Sequence, residues 1–551
     1  MNQKQKRMMT AVFCAAFSVS MLAGCGSNAN NTSSGSNGDT NTSAGATTNT
    51  TNNASNNATT TPSDEKMKLM FWSFYADKNN LNGFAMNTLR EKFNIDADFY
   101  TTTGEAYKEK LQLMLASGEV PDWWKMNWWE DYDKFVDQGV GAEIPEELLN
   151  DYAPHYVAWL KKNAGEGDPF RYVRRNGKIY SMQDMWTLGS KYKVLGFRED
   201  WLNKVGITKA PETLDEMEAA LTKFRNDDPD GNGKKDTYGI TGTAENVNSI
   251  FSSVFGAFGV YPGAFVEENG KVVRGEISPK AKDALTLLNS WYKKELIDPE
   301  FIVNKSSNVD DKVVSQKVGA VENAWWAFIP KDAFYEGLYY EKIRETNPDA
   351  KWSVIGGPKG PDGAFGITQD NPFNAPGIQF GKQLEKDQPK LIKYLQVFDD
   401  TISNIDTWEK TNYGEKGKTF QVTADGSYEF LAPYDKEDEQ IKFGVGPYYS
   451  IPRSFNDYDM QAPFMTKKAL LPIRQEAESK GTGKYDILQP LQKPVYNEFV
   501  EPLKQLTIQN FIDFITGKRP IGEFDKFVEE WNAAGGKQVM EEAQQKFDEM
   551  K

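Results

Sequence analysis

The stretch VLGFREDWLNKVGITKAPETLDEMEAALTKF, residues 194–224, reads as a strand followed by two helices. Val194 to Phe197 is a short apolar run bounded by charge, the pattern of a buried strand. It leads into Asp200-Trp201-Leu202 and a first helix. Thr213-Leu-Asp-Glu216 is then a capping box, whose hydroxyl and carboxylate satisfy orphan N–H groups reciprocally. Leu214, Met217, Leu221 and Phe224 recur every three or four residues and mark the buried face of the second helix.

The same alternation extends both ways. Upstream, Lys68 to Phe74 predicts a first strand, with helices over Ala85–Phe93 and Ala106–Leu115. Tyr107, Leu111, Met114 and Leu115 share one face of the latter, and Gly118 and Pro121 follow as stop signals. Downstream, Pro279 to Lys294 turns Ala284, Leu287, Leu288 and Trp291 inward. Helices are also expected over Leu503–Thr516 and Phe524–Lys551, the latter with Phe524, Phe527, Val528 and Trp531 at helical spacing. No internal repeat is visible. Strands alternating with helices imply an α/β fold. About 490 globular residues favour two lobes over one core.

Directly after the capped helix comes Asp228-Pro-Asp230-Gly-Asn232-Gly233-Lys234-Lys-Asp236-Thr-Tyr-Gly239. Calcium takes six to eight oxygens, and an EF-hand loop offers them from positions one, three, five, seven and nine. Those positions are Asp228, Asp230, Asn232, the Lys234 carbonyl and Asp236, with Gly233 at the sharp turn. A structural Ca2+ is expected here rather than a sensor, since no second EF-hand helix follows. Position twelve is Gly239 instead of Glu, so Glu245 or water would complete the shell. The bland alternative is a polar Gly/Asp turn without metal.

The N-terminus reads as an export signal. Lys4, Lys6 and Arg7 precede an apolar stretch from Met8 to Leu22, too short for a bilayer span of about 20 residues. It ends in Leu22-Ala23-Gly24-Cys25, which resembles a bacterial lipobox with Cys25 as the acylated residue. Cys14 and Cys25 are the only cysteines, so cleavage and acylation would leave no free thiol, disulfide or zinc-thiolate site. Residues 26–63, almost all Asn, Thr, Ser, Gly and Ala, form a tether whose ends would lie roughly 35 Å apart. The net charge of −15 argues against nucleic acid or an anionic membrane as partner. His155 is the only histidine, which removes most enzyme classes that use His as base or metal ligand.

Lys110-Leu-Gln-Leu-Met-Leu-Ala-Ser-Gly118-Glu-Val-Pro-Asp122 resembles the helix-turn segment of family 1 extracellular solute-binding proteins. Asn176-Gly-Lys-Ile-Tyr180, Phe197-Arg-Glu-Asp-Trp201, Pro211 to Glu216, the Asp228 loop, Gly414-Glu-Lys-Gly417 and Phe514-Ile-Thr-Gly-Lys518 continue the match in order. The chain is most similar to the long, calcium-containing lipoproteins that bind alginate and pectin oligosaccharides. The resemblance implies a two-lobed periplasmic-binding-protein fold (type II), each lobe a mixed sheet flanked by helices, with the ligand cleft between them. The expected division is a signal peptide 1–24, a tether 25–64, the first lobe 65–193 and the second 194–357. A return to the first lobe over 358–470 and a C-terminal helical region 471–551 on the second complete it. The resemblance further implies an oligosaccharide ligand, an ABC transporter permease as partner, a monomer, attachment to the outer face of the cell membrane by lipid alone, and no catalysis.

A sugar presents apolar C–H faces ringed by hydroxyls, so its site wants aromatic faces and planar polar groups. Trp72 and Tyr75 stand at the carboxyl end of the first expected strand, where ligands bind in open α/β sheets. Asn323-Ala-Trp325-Trp326 resembles an Asn-Gly-Pro-Trp segment whose tryptophan stacks on sugar in maltose-binding relatives, which implies that role for Trp325 or Trp326. Gln183, Asp184 and Trp186 follow the Lys178-Ile-Tyr strand in a loop that resembles a ligand-contacting one. Trp123, Trp124, Trp128 and Trp129 flank Asp122 and serve either the cleft or the core. Tyr448 and Arg453 lie in a Gly/Pro-rich stretch, where Arg453 could pair a uronate. The competing readings are a glycosidase or lyase, which needs a placed carboxylate pair, and a surface receptor for peptide or another small solute.

Overall fold

The computed structural model describes residues 66–74, 78–104, 106–334, 337–446 and 466–550. Cys25, the leader, the tether, Tyr75, Tyr448 and Arg453 lie outside them. Residues 64–551 form one compact unit.

The first strand, Met67–Ser73, pairs in parallel with Ile95–Thr101, and the helix Phe84–Phe93 connects them. Nearby, Trp123–Met126 pairs antiparallel with Gly377–Phe380. Helix Tyr107–Ala116 buries Tyr107, Leu111 and Met114. It ends as Gly118 takes φ +83° and the Glu119 N–H reaches back to the Met114 carbonyl at 2.9 Å. One core gathers residues from Leu69 to Met185 and again from Phe373 to Ile402.

The second lobe is built on a four-stranded sheet in the order Trp352–Ile355, Lys193–Arg198, Val318–Ala324, Tyr238–Ile240. The sheet is buried on both faces, with Leu195, Phe197 and Ala320 in one core and Val194, Val318 and Val321 in another. Helices Leu214–Asn226, Pro279–Lys293 and Pro494–Thr516 cover the first of these faces. Leu188 and Ile367 pack with the second lobe.

Three local expectations need revision. The Glu216 carboxylate reaches past Thr213 to the Glu212 N–H at 2.8 Å, while the Thr213 hydroxyl accepts from the Glu216 N–H at 3.2 Å. On Pro279–Lys293 the buried stripe is Ala281, Ala284, Leu285, Leu288 and Trp291, with Leu287 only partly covered. The expected helix from Phe524 is interrupted after Trp531. Gly535 sits at φ +112°, where a Cβ would strike the Phe499 ring at 2.3 Å. Replacing Thr213 by Ala should destabilise the protein by about 1 kcal/mol, read as a lower urea midpoint with an unchanged slope.

Candidate functional site

Two chain segments pass between the cores, from Met185 to Leu188 and from Ile367 to Phe373. They pair where they cross: the Trp186 N–H donates to the Pro372 carbonyl (2.8 Å) and the Asp370 N–H to the Gly189 carbonyl (3.0 Å). A third segment, 481–486, lies against them, and the Ile367 and Gln369 N–H groups donate to the carbonyls of Thr482 and Lys484. The buried Gln369 side chain joins all three. Its Oε1 accepts from Lys193 N (2.9 Å), while its Nε2 donates to the carbonyls of Lys193 (2.9 Å) and Thr482 (3.0 Å).

Beside this crossing lie three hollows that share lining residues. The first, about 370 Å³, has Trp128 and Trp129 of the first lobe facing Gly263, Asp486 and Lys493 of the second. Asn127 and Asn374 connect it to a hollow of about 210 Å³ bounded by Lys125, Asp184 and Trp186. Asn248 connects it to one of about 380 Å³ at the carboxyl ends of strands Val318–Ala324 and Tyr238–Ile240. Tyr192, Lys193, Asp310, Glu322 and Asn323 are among the residues lining that third hollow. Together the hollows form a groove along both lobes.

Trp186, Tyr192 and Trp326 are partly buried and form an aromatic cluster at the crossing, with Tyr192 and Trp326 stacked at 5.7 Å and 22°. Trp128 and Trp129 are held by indole N–H bonds to Asp131 Oδ2 and the Phe373 carbonyl, both at 2.9 Å. Charge in the groove is largely paired. Lys125 meets Asp184 at 3.2 Å and Lys193 meets Asp370 at 3.6 Å. The buried Lys493 donates to the carbonyls of Leu488, Gln489 and Leu491, and its burial lowers its pKa. Asn323 donates to the Tyr339 hydroxyl at 2.7 Å, which donates to Asp310 at 2.6 Å. Burial raises the carboxyls of both Asp310 and Glu322.

Several expected contacts are core instead. Trp72 is fully buried among Phe74, Tyr100 and Tyr107, and its indole donates to the Trp123 carbonyl at 2.8 Å. No face of it is open to a solute. Trp325 is likewise buried, stacked on Phe334, so Trp326 carries the accessible ring of that pair. Gln183 is buried and braces the crossing through the Asp184 and Ala375 carbonyls. Of the four clustered tryptophans, Trp123 and Trp124 belong to the core and Trp128 and Trp129 to the groove. Tyr192, Asp310, Glu322 and Gln369 escaped the sequence reading. A carboxylate closing the apolar run Val318–Val321 was the available signal for Glu322.

Around the Asp228 loop, Asn232 Nδ2 donates to Asp230 (2.6 Å) and Asp236 (3.0 Å), and the Asn232 and Gly233 N–H groups donate to Asp228. Lys317 pairs Asp236 at 2.7 Å. Glu245 Oε2 accepts from the Ser306 N–H at 3.2 Å, at the start of helix Ser306–Val314. Gly239 cannot be replaced by Glu, because a Cβ there would lie 2.7 Å from Leu221 and 2.9 Å from the Leu296 carbonyl. Among the described residues no three carboxylate, His or Cys side chains close into a preformed metal cage.

Residues 77–372 match the bacterial extracellular solute-binding proteins. The chain belongs to that family. It is 26% identical over 462 residues to Lipoprotein LipO of Bacillus subtilis, covering 81% of this chain and 85% of that one. It is 24% identical over 520 residues to the polygalacturonan/rhamnogalacturonan-binding protein YtcQ of the same organism, covering 89% and 93%. Its fold is similar to that of the Streptococcus pneumoniae substrate-binding protein FusA, solved with kestose and, as an EF-hand mutant, with fructo-nystose. The TM-scores are 0.65 and 0.64 at 18% identity, covering 88% of this chain and 99% of FusA. The fold is thus the two-lobed α/β architecture of substrate-binding proteins. No helix among the described residues is long and apolar enough to cross a membrane.

Replacing Gln369 by Leu removes its bonds to the Lys193 N–H and carbonyl and one of two donors to the Thr482 carbonyl, which keeps the Ile367 N–H. The expected loss is roughly 2–4 kcal/mol, measured by chemical denaturation.

Proposed function

We propose that this protein captures an oligosaccharide outside the cytoplasm and delivers it to an ABC importer, tethered by lipid on Cys25. The observation that carries the reading is the groove itself. Partly buried indole and phenol rings stand beside amides and carboxylates on walls drawn from both lobes. Rings offer faces to sugar C–H groups, and Asn127, Asn248, Asn323 and Asn374 offer paired donors and acceptors to hydroxyls. The names of YtcQ and FusA support a glycan, and that of LipO supports the anchor. Binding without catalysis agrees with the place of His155, which bonds Asp399 at 2.7 Å and lines a separate hollow.

A calcium ion fits the Asp228 loop by its chemistry. Asp228 and Asp230 are neighbours in the loop, with the pKa of Asp228 lowered chiefly by the Gly233 N–H and that of Asp230 raised chiefly by desolvation. A divalent cation would relieve that crowding of charge. Asp228, Asp230, Asn232, Asp236 and the Lys234 carbonyl would hold it, joining helix Leu214–Asn226 to strand Tyr238–Ile240.

Thermal denaturation against a panel of oligosaccharides and peptides tests the main reading. Stabilisation by a glycan is expected, and stabilisation by peptides alone would overturn it. Trp186→Ala should weaken that glycan by about tenfold with little change in the ligand-free midpoint. Chelation should lower the melting temperature, and Asp228→Asn should abolish the difference between chelated and calcium-loaded protein.

A further inference from the structure

The groove walls carry an asymmetry of charge that bears on the glycan's class. Among the described residues lining the three hollows, the cations are Lys125, Lys193 and Lys493, and none is an arginine. Each of these lysines is engaged. Lys125 and Lys193 hold Asp184 and Asp370, while Lys493 is turned into backbone carbonyls and lies in the field of Asp486.

Asp310 and Glu322 are held differently, by neutral hydrogen-bond donors. Asp310 Oδ1 accepts from the Tyr339 hydroxyl at 2.6 Å, and Glu322 Oε1 accepts from the Ser253 N–H at 2.7 Å. Among the described residues neither forms an ion pair, and Lys193 acts on Glu322 only through its field. Both line the same hollow of about 380 Å³, which shares Asn248 as a lining residue with the hollow between Trp128 and Lys493.

We infer that the groove selects neutral oligosaccharides and rejects uronates, with Asp310 and Glu322 as the residues that set this selectivity. The inference rests on the oligosaccharide reading and sharpens it. A hydroxyl donates to an ionised carboxylate or accepts from a protonated one, so neutral sugars gain in either state. A uronate brings a second anion beside carboxyls that are already partly desolvated, and like charges across an interface are strongly unfavourable. The rejection is therefore chemical, and it holds even though the relative YtcQ is named for acidic pectic glycans.

The test is calorimetry on the full chain with a panel of neutral tetrasaccharides and with tetragalacturonate. At low ionic strength the best neutral ligand should bind at least about a hundredfold more tightly. Salt near 1 M should narrow that ratio by screening. The Asp310→Asn/Glu322→Gln double variant should narrow it at low salt to within about tenfold, with its melting temperature as the check on folding. Tetragalacturonate binding as well as or better than every neutral ligand overturns the inference and leaves the proposed function standing. A salt-insensitive ratio, or one unchanged in the folded double variant, overturns the assignment to these carboxyls. Binding of peptides and of no saccharide overturns both readings.

Discussion

The architecture turns on the need to pair every buried peptide group where the chain passes between its two lobes. Extended segments at such a crossing have no helix or wide sheet to supply partners, and an orphaned buried N–H or carbonyl costs about as much as a lost hydrogen bond. Gln369 meets the need by presenting a side-chain amide that imitates a backbone, bonding the Lys193 N–H and the carbonyls of Lys193 and Thr482. Close contact also demands missing side chains. A Cβ at Gly481 would lie 1.7 Å from the Lys191 carbonyl, and one at Gly483 would lie 1.8 Å from that of Ile367. The three segments therefore approach as bare backbone, and the walls of the groove are hung from them.

What could be read in the sequence was what local pattern determines. Strand Met67–Ser73, helix Tyr107–Ala116 with its Gly118 stop, and the capped helix Leu214–Asn226 all follow from periodicity and end chemistry. What could not be read depends on partners far along the chain. Trp72 sits at a strand end like a ligand-binding residue, yet its indole is claimed by Trp123, and nothing within either segment announces that pairing. The same holds for Gln183 and Ala375 at the crossing. Adjacent tryptophans are the hardest case: Trp325 and Trp326 share a sequence environment, and only the stacking of Phe334 on Trp325 decides which is covered.

Charge shows the difference between a whole-chain property and a site. The net charge of −15 argues against polyanionic partners by its long-range field but says nothing about the groove. There the deciding quantity is which groups are already neutralised. Lys125 and Lys193 are cationic residues on the groove wall that are held by neighbouring aspartates, while Asp310 and Glu322 are acidic ones that accept from a phenol and a peptide N–H. Counting charged residues would miss that distinction, because a paired lysine presents little net field to a solute.

The placement of the aromatic rings connects binding to movement. Trp128 and Trp129 line the groove against the first lobe's core, and Trp186 and Tyr192 line it against one of the second lobe's. A ligand can shift an equilibrium between open and closed forms only by the difference in its affinity for them. A short solute touching one set of rings gains nothing from closure, whereas one long enough to reach both gains in proportion to what the second lobe adds. The length of the groove and the division of its rings between lobes thus favour a ligand of several units, for which capture and closure become one event.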